Sequence, residues 1–194
     1  ENTQVFLDSP MAIKATKIYG QYKSLYSQEL SEHSKADDPF DFPGLHLTDK
    51  PKDSRKIMDE PGAKVIIAGS GMLTGGRIIH HLKNFIEQSS TRILFVGFQA
   101  EETLGSSLLN GAKNVHISGK KYRVVASIRK SSALSAHADQ PKLMIWLGNI
   151  QGVSSIFLTH GEDLPRQVLA KLISTRLGIT NVCLPKLHDV RSLF

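Results

Sequence analysis

The sequence predicts an α/β protein with a largely parallel sheet flanked by helices. Two observations support this fold class. First, short apolar runs alternate with longer segments of helical periodicity, which is the pattern expected of a buried parallel sheet with crossover helices. Second, the helical segments carry boundary residues, since Asp139 precedes Pro141 as an N-cap and Gly148 and Gly178 lie near helix ends.

The individual elements follow from the same pattern. Strands are predicted over residues 5–8, 64–68, 92–97, 115–118, 122–128, 155–159 and 181–184. Helices are predicted over residues 12–30, 55–59, 76–88, 103–110, 141–149 and 165–175. Residues 31–53, rich in Asp, Pro and His, show no sustained period and predict a long surface excursion. The polar turn Gly119-Lys120-Lys121 predicts a hairpin between strands 115–118 and 122–128.

Composition limits the class of protein. The chain has 194 residues, 40% of them hydrophobic, which is enough for a real core. No segment is apolar enough for a membrane span and the first residues do not resemble a signal peptide, so we expect no membrane partner and a cytoplasmic location. The single cysteine, Cys183, excludes a disulfide scaffold and a cysteine-cluster zinc site. The net charge of +6 favours polyanions without requiring them.

The start of the chain suits a fragment. It begins without methionine, directly in the strand-like segment 4–8. Removal of the initiator methionine is the alternative explanation.

A glycine-rich junction between a strand and a helix, residues 64–77, is the first candidate site. Backbone N–H groups at such a junction favour an anion such as phosphate. Arg77-Ile78 replaces the Lys-Ser/Thr of a P-loop, and Thr74 stands where a Rossmann loop has glycine, so nucleotide hydrolysis is disfavoured. Tight-turn glycines without a ligand remain the alternative.

A second strand-to-helix junction covers residues 92–105. In a parallel sheet both junctions lie at strand carboxyl ends, where open α/β folds bind ligands, so they could share one groove. Thr103 could recognise an RNA backbone there or simply cap its helix.

Two histidines stand in matched contexts. His137 lies in Ser-Ala-His-Ala-Asp, residues 135–139, and His160 lies in Thr-His-Gly-Glu, residues 159–162. Each precedes a helix, so parallel strands could bring both imidazoles to one site, although ordinary polar roles are an alternative for each. Asp139 and Glu162 fit helix amino ends better than a tuning role. Adjacent histidines His80 and His81 diverge on their helix and predict packing or surface roles, and a solvated or packing role is also predicted for His33, His46, His116 and His188.

Taken in order, these residues resemble the β-CASP branch of the metallo-β-lactamase superfamily, which contains RNA-processing hydrolases. The resemblance runs over nearly the entire chain. Asp8-Ser9-Pro10-Met11-Ala12 resembles the opening of the β-CASP insert, residues 68–76 its Ser-Gly-Met loop, and residues 97–105 its Gly-aromatic-Gln-Ala-Glu-Gly-Thr-Leu-Gly run. The two histidine motifs are the most specific part, because their order, context and spacing agree together.

The resemblance implies a zinc-dependent ribonuclease with two zinc ions in the full-length enzyme. It implies that His137 protonates the leaving oxygen and that His160 ligates zinc. It further implies RNA phosphate contacts at Ser70, Gly71, Met72, Thr103 and Ser135. RNA is the expected partner, with single-stranded DNA and a homo-oligomer as further possibilities. Residues 1–120 would form the β-CASP domain and residues 121–194 the carboxyl-terminal part of the metallo-β-lactamase domain.

The sequence departs from the family pattern in three ways. Glu102 replaces the usual glycine, residues 130–134 replace the usual approach to the Ser-Ala-His motif, and no His-x-His-x-Asp-His motif occurs. A catalytic zinc needs about three protein ligands, so we expect this chain alone to be inactive and to hold no tightly bound zinc. A noncatalytic RNA-binding or scaffold member of the family, and an unrelated phosphate-binding α/β module, are the alternatives.

Overall fold

The computed structural model describes residues 3–36, 38, 40–134 and 137–191. The chain divides into two compact units, Glu1–Ser135 and Ala136–Phe194. The boundary predicted between residues 120 and 121 separates two domains of the family, which need not coincide with compact units of the fold. That boundary stays a prediction.

Parallel strand pairs flanked by helices make up the larger unit. One sheet has the order β2-β1-β3, with both neighbours parallel to the central strand, and a second sheet pairs β4 with β7, also parallel. The strands are β1 (Gln4–Asp8), β2 (Leu45–Leu47), β3 (Lys64–Ala68), β4 (Arg92–Phe95), β5 (Asn114–Ile117), β6 (Lys120–Arg123) and β7 (Ser127–Lys130). The helices are α1 (Pro10–Gln21), α2 (Gln28–Ala36), α3 (Pro51–Lys56), α4 (Arg77–Phe85) and α5 (Leu104–Leu109). The predicted α/β fold class is confirmed.

The helix predicted over residues 12–30 is wrong as a single element. Helix α1 ends at Gln21, a 3-10 turn covers Lys23–Leu25, and α2 begins at Gln28. The Oγ of Ser27 accepts a hydrogen bond from the Leu30 N–H at 3.2 Å, which favours a new helix start at this point.

The excursion predicted over residues 31–53 contains regular structure. Helix α2 continues to Ala36, and Leu45–Leu47 forms the edge strand β2 beside β1. This strand has only three residues, too few to show an alternating pattern in the sequence. Its pairing is continued by a hydrogen bond from the Thr48 N–H to the Leu7 carbonyl at 3.1 Å.

The strand predicted over residues 122–128 divides between two sheets. Its first half belongs to the antiparallel hairpin β5–β6, and its second half is the start of β7, parallel to β4. Between them the N–H groups of Val125 and Ala126 both donate to the Ile86 carbonyl, at 3.0 and 2.9 Å. The end of α4 therefore redirects the chain, which an apolar run of residues does not reveal.

One buried cluster joins the glycine-rich region, α4, β4, α5 and the hairpin. Its members are Leu73, Leu82, Ile86, Phe95, Leu108, Val115, Ile117 and Tyr122. Because burial of apolar side chains is the main favourable term in folding, this cluster fixes the positions of the loops around it.

The smaller unit pairs two helices with a short parallel sheet. Helices α6 (Gln140–Gly148) and α7 (Asp163–Leu177) accompany strands β8 (Ile156–Phe157) and β9 (Val182–Cys183). Leu147, Ile156 and Ile173 form its buried core. The last two predicted strands are thus present but shorter than expected.

Candidate functional site

The first junction loop, residues 69–76, connects β3 to α4. Its backbone is folded back on itself, since the Leu73 N–H donates to the Ser70 carbonyl and the Ile78 N–H to the Gly69 carbonyl, both at 3.1 Å. Leu73 is buried in the core and anchors the loop, while Met72 is 38% exposed. The Ile78 N–H, in the first turn of α4, is therefore already hydrogen-bonded within the protein and does not face an anion.

Gly76 closes this loop against its own start. It has φ +74°, and a Cβ at this position would lie 2.6 Å from the Gly69 carbonyl oxygen. Only glycine fits both the backbone angle and the close approach. The loop also contains a hydrogen bond between the hydroxyls of Ser70 and Thr74, at 3.1 Å.

The second junction loop, residues 96–103, connects β4 to α5. The Thr103 hydroxyl caps α5 by accepting from the Ser106 N–H at 3.1 Å, and it donates to the Ala100 carbonyl at 2.7 Å. The capping alternative for Thr103 is thus observed, and its RNA contact stays a prediction. Glu102 has φ +63°, a left-handed conformation that favours glycine, the residue that stands here in the family pattern.

Gln99 joins the two junction loops. Its side chain is buried, and its Nε2 donates to the Gly71 carbonyl at 2.7 Å and to the Phe98 carbonyl at 2.9 Å. A Cβ on Gly105 would lie 1.7 Å from the Gln99 Oε1, so the smallest residue is needed beside this amide. The structure thus brings Ser70, Gly71 and Met72 close to the loop that ends at Thr103. Sequence reasoning missed Gln99, although its place in the matched run was visible.

Asp8, at the end of β1, is the centre of a buried polar network. Its carboxylate lies 2.6 Å from Ser54 Oγ, 2.7 Å from an Arg77 guanidinium nitrogen and 2.6 Å from His81 Nε2. Because an ionised carboxylate only accepts hydrogen bonds, His81 donates from Nε2. Arg77 also donates to the Thr48 and Asp49 carbonyls. The arginine at the P-loop lysine position thus serves the fold.

The electrostatics of this network favour an ionised Asp8. Burial alone would raise the pKa of its carboxyl, but hydrogen bonds from Ser54, His81 and Arg77 hold that pKa below its ordinary value of 3.8. Burial lowers the pKa of the neighbouring His80, and the adjacent His81 lowers it further.

The two motif histidines occupy equivalent positions in the smaller unit. His137 stands two residues before Asp139, which caps α6 by accepting from the Lys142 N–H at 3.0 Å. His160, with φ +63°, stands two residues before Glu162, the N-cap residue of α7. Both histidines are exposed. Their predicted chemical roles stay predictions, as does that of Ser135, which lies outside the described residues.

An apolar cleft lies between the first turns of the helices that follow these histidines. It is lined by Gln140, Leu143, Leu164, Pro165, Val168 and Leu169. Arg166 fixes the start of α7 by donating to the Pro185 carbonyl at 2.9 Å and to the Asp163 carboxylate.

The described residues do not make a complete metal site. Within residues 3–134 and 137–191, apart from the gaps at 37 and 39, no group of three or more His, Cys, Asp or Glu side chains could hold a metal ion. A catalytic zinc requires about three protein ligands, so the side chains described do not fit a zinc centre by themselves.

In the part of the chain that the structure describes, no helix is both long and apolar enough to cross a bilayer.

Comparison with known proteins gives two successive family matches. Residues 1–108 match the Beta-Casp domain, and residues 121–185 match the Zn-dependent metallo-hydrolase RNA specificity domain. The second match includes both motif histidines.

Named relatives support the same family. The chain is 35% identical to Ribonuclease TTHA0252 of Thermus thermophilus over 173 residues, which cover 89% of this chain and 39% of the ribonuclease. It is 31% identical to Transcription termination factor FttA of Methanococcus maripaludis, over 83% of this chain and 26% of that factor. It is 28% identical to FttA of Pyrococcus abyssi, over 96% of this chain and 30% of that factor. The chain thus spans well under half the length of these relatives. It belongs to the β-CASP family of metallo-β-lactamase-fold RNA-processing nucleases.

Proposed function

We propose that this chain forms the RNA-binding part, and a portion of the catalytic centre, of a zinc-dependent ribonuclease that hydrolyses RNA phosphodiester bonds. The observation that carries the proposal is the pair of family matches in succession, a Beta-Casp domain followed by a Zn-dependent metallo-hydrolase RNA specificity domain. The name of the ribonuclease relative supports the same chemistry.

The two junction loops are the proposed binding surface for RNA phosphates. Ser70, Gly71 and Met72 would contact the backbone from the first loop, and Gln99 supports this by holding that loop against the second. Thr103 would act mainly by fixing the second loop, because its hydroxyl already donates one hydrogen bond and accepts another. Ser135 is proposed as a further phosphate contact from the motif that contains His137.

The two histidines are proposed to act in different ways. His137 would donate a proton to the leaving oxygen, since histidine is the side chain that most often acts as a general acid or base in enzymes. His160 would supply one zinc ligand. The described residues do not fit a complete zinc centre, so the remaining ligands would come from elsewhere in the protein.

A second candidate function is RNA binding without hydrolysis. Two observations support it: the chain is similar to proteins named transcription termination factors, and the described residues lack a complete set of metal ligands. It predicts RNA binding without cleavage and without stoichiometric zinc in the whole protein.

The test compares histidine variants in the full-length protein that carries this chain. We expect His160→Ala to lose both bound zinc and RNA cleavage. We expect His137→Ala to keep its zinc but to cleave roughly 10² to 10⁴ times more slowly, the usual contribution of a general acid. Zinc content by elemental analysis and single-turnover cleavage of labelled RNA measure both effects.

The matched control is His188→Ala, which removes another exposed histidine and should change neither quantity. Wild-type cleavage rates in both motif variants would contradict the proposal. A wild-type protein that binds RNA but has neither zinc nor cleavage activity would support the noncatalytic alternative.

A further inference from the structure

A long segment of the chain carries positive charge without any acidic residue. Residues 103–138 contain six lysines and arginines and no aspartate or glutamate. Six positive charges equal the net charge of the whole chain, +6. The cations are Lys113, Lys120, Lys121, Arg123, Arg129 and Lys130, and all six are exposed. Such a concentration of one sign creates a local potential that attracts polyanions.

Four of these cations lie on or beside the β5–β6 hairpin. The hairpin turns tightly through Ser118 and Gly119, both with positive φ, which matches a two-residue turn. Side chains alternate between its two faces. Val115, Ile117 and Tyr122 are buried in the core cluster on one face.

The opposite face of the hairpin is polar and basic. Asn114 pairs with Arg123 and His116 with Lys121, and all four are exposed. Directly paired residues on one face have Cβ atoms about 5 Å apart, so these side chains form one continuous surface. Lys113 precedes the first strand, and Lys120 begins the second strand opposite the buried Ile117, so these two exposed lysines lie beside the outward face rather than on it.

The hairpin cations have no carboxylate partners within the described part of the chain. The ion pairs found there involve other lysines and arginines, and His81. Glu87 contacts Arg123, but its carboxylate accepts from the backbone N–H at 2.8 Å rather than from the guanidinium. Lys120 Nζ lies 5.3 Å from the centre of the Tyr122 ring. The guanidinium and ammonium groups are thus available to an external anion.

The hairpin packs against the same buried cluster as the first junction loop. Its buried residues share the cluster with Leu73, which anchors that loop, and with Leu108 of α5. The basic face therefore has a fixed place in the unit that contains both junction loops, although it belongs to neither loop.

We propose that the exposed cations of this hairpin, Lys121 and Arg123 on its outward face together with Lys113 and Lys120 beside that face, bind the phosphate backbone of RNA outside the junction loops. The inference rests on the proposed function for the identity of the polyanion. Binding would be independent of base sequence, because a row of ammonium and guanidinium groups neutralises phosphates without reading base edges.

The experiment measures the salt dependence of RNA binding by the 194-residue chain. The affinity for a labelled single-stranded RNA is determined by fluorescence anisotropy at several salt concentrations. In the hairpin variant, Lys113→Gln, Lys120→Gln, Lys121→Gln and Arg123→Gln are combined. We expect the slope of log affinity against log salt to become shallower by roughly 2 to 3, since each phosphate contact on a single strand contributes about 0.7.

Two further variants make the result specific. A matched control combines Lys14→Gln, Lys17→Gln, Lys142→Gln and Lys171→Gln, removing the same charge from exposed helical positions, and should keep the wild-type slope. A charge-preserving variant, with the three hairpin lysines changed to arginine and Arg123→Lys, should also keep it. Thermal unfolding by circular dichroism verifies that each variant is folded.

The outcomes separate this inference from the proposed function. The inference would be overturned if the slope of log affinity against log salt became equally shallow in the hairpin and control variants. It would also be overturned if the hairpin variant kept the wild-type slope. The inference would also be overturned if the chain bound polyglutamate more tightly than RNA and lost that binding in the hairpin variant. That result would indicate an acidic protein partner. If the histidine variants cleave normally while the hairpin variant loses its slope, the proposed function fails and the hairpin inference stands.

Discussion

Asp8 illustrates how a single buried charge organises this protein. Its carboxylate receives hydrogen bonds from the serine of α3 and from the arginine and histidine of α4, so one residue ties β1 to two helices. Removing one partner of a buried ion pair costs about 3 to 5 kcal/mol, because the other charge is left uncompensated. Asp8 is thus a structural residue, although it lies within a motif that resembles the start of the β-CASP insert.

Acid should weaken the fold through Asp8. Its folded pKa is lower than its unfolded pKa, so the ionised carboxylate stabilises the protein above about pH 4, and this contribution is lost as the pH falls through the folded pKa. We expect Asp8→Asn to lower the free energy of unfolding at pH 7 by about 3 to 5 kcal/mol. The variant should also lose less unfolding free energy than the wild type as the pH falls into the acid range. Urea unfolding at a series of pH values measures both quantities.

The control is Asp53→Asn, which removes a partly exposed carboxylate 3.7 Å from Lys56. Its effect should stay below about 1 kcal/mol, as for other surface ion pairs. If the unfolding free energy of Asp8→Asn falls as steeply in acid as that of the wild type, another group causes the acid sensitivity.

Part of this network could be predicted from sequence. Arg77 and His81 are four residues apart on one helix, so their side chains share a face, which is a visible signal for a common partner. For His81 only a packing or surface role was predicted, whereas the structure buries it against Asp8, with its ring centre 5.6 Å from that of His80. Ser54 and Asp8, however, are 46 residues apart, and only the packing of α3 against the end of β1 brings them together.

At the scale of the element, the strand-loop-helix from β3 to α4 depends on one glycine. Gly76 combines a positive φ with a close approach to the Gly69 carbonyl, whereas a Cβ on the neighbouring Gly75 would meet nothing within 4 Å. Two adjacent glycines thus have different roles, and sequence inspection alone does not distinguish them.

We expect Gly76→Ala to destabilise the protein by at least about 2 kcal/mol, because strain at such a backbone angle alone costs 1 to 3 kcal/mol and the Cβ also collides with backbone. It should also weaken RNA binding through displacement of Ser70 and Gly71. Gly75→Ala should change stability by less than about 0.5 kcal/mol. Urea unfolding and RNA anisotropy on the two variants give the comparison, and equal effects would refute the distinction.

The elements that sequence predicted well are those with long, clear patterns. Strands β1 and β3 and the helices after both junctions were placed close to their observed positions. The failures have physical causes: strand β2 is short and held by its neighbour, and the boundary between β6 and β7 is set by the Ile86 carbonyl. At the candidate site, both junction loops were predicted, but their connection through the Gln99 side chain was not.

At the scale of the whole molecule, the smaller unit exposes large apolar side chains. Ile145, Trp146 and Leu164 are each more than 60% exposed. Exposed apolar surface of this kind often marks an interaction site. Self-association of the chain stays a prediction, for which light scattering after size exclusion is the suitable measurement.

We propose that this chain supplies RNA-binding loops and only part of a catalytic centre. The most direct test measures zinc content and RNA cleavage with the purified 194-residue chain. We predict RNA binding without stoichiometric zinc and without cleavage, because the described side chains fall short of the three or so ligands that a catalytic zinc needs. One or more tightly bound zinc ions per chain, together with metal-dependent RNA cleavage that is lost in His160→Ala, would contradict the claim.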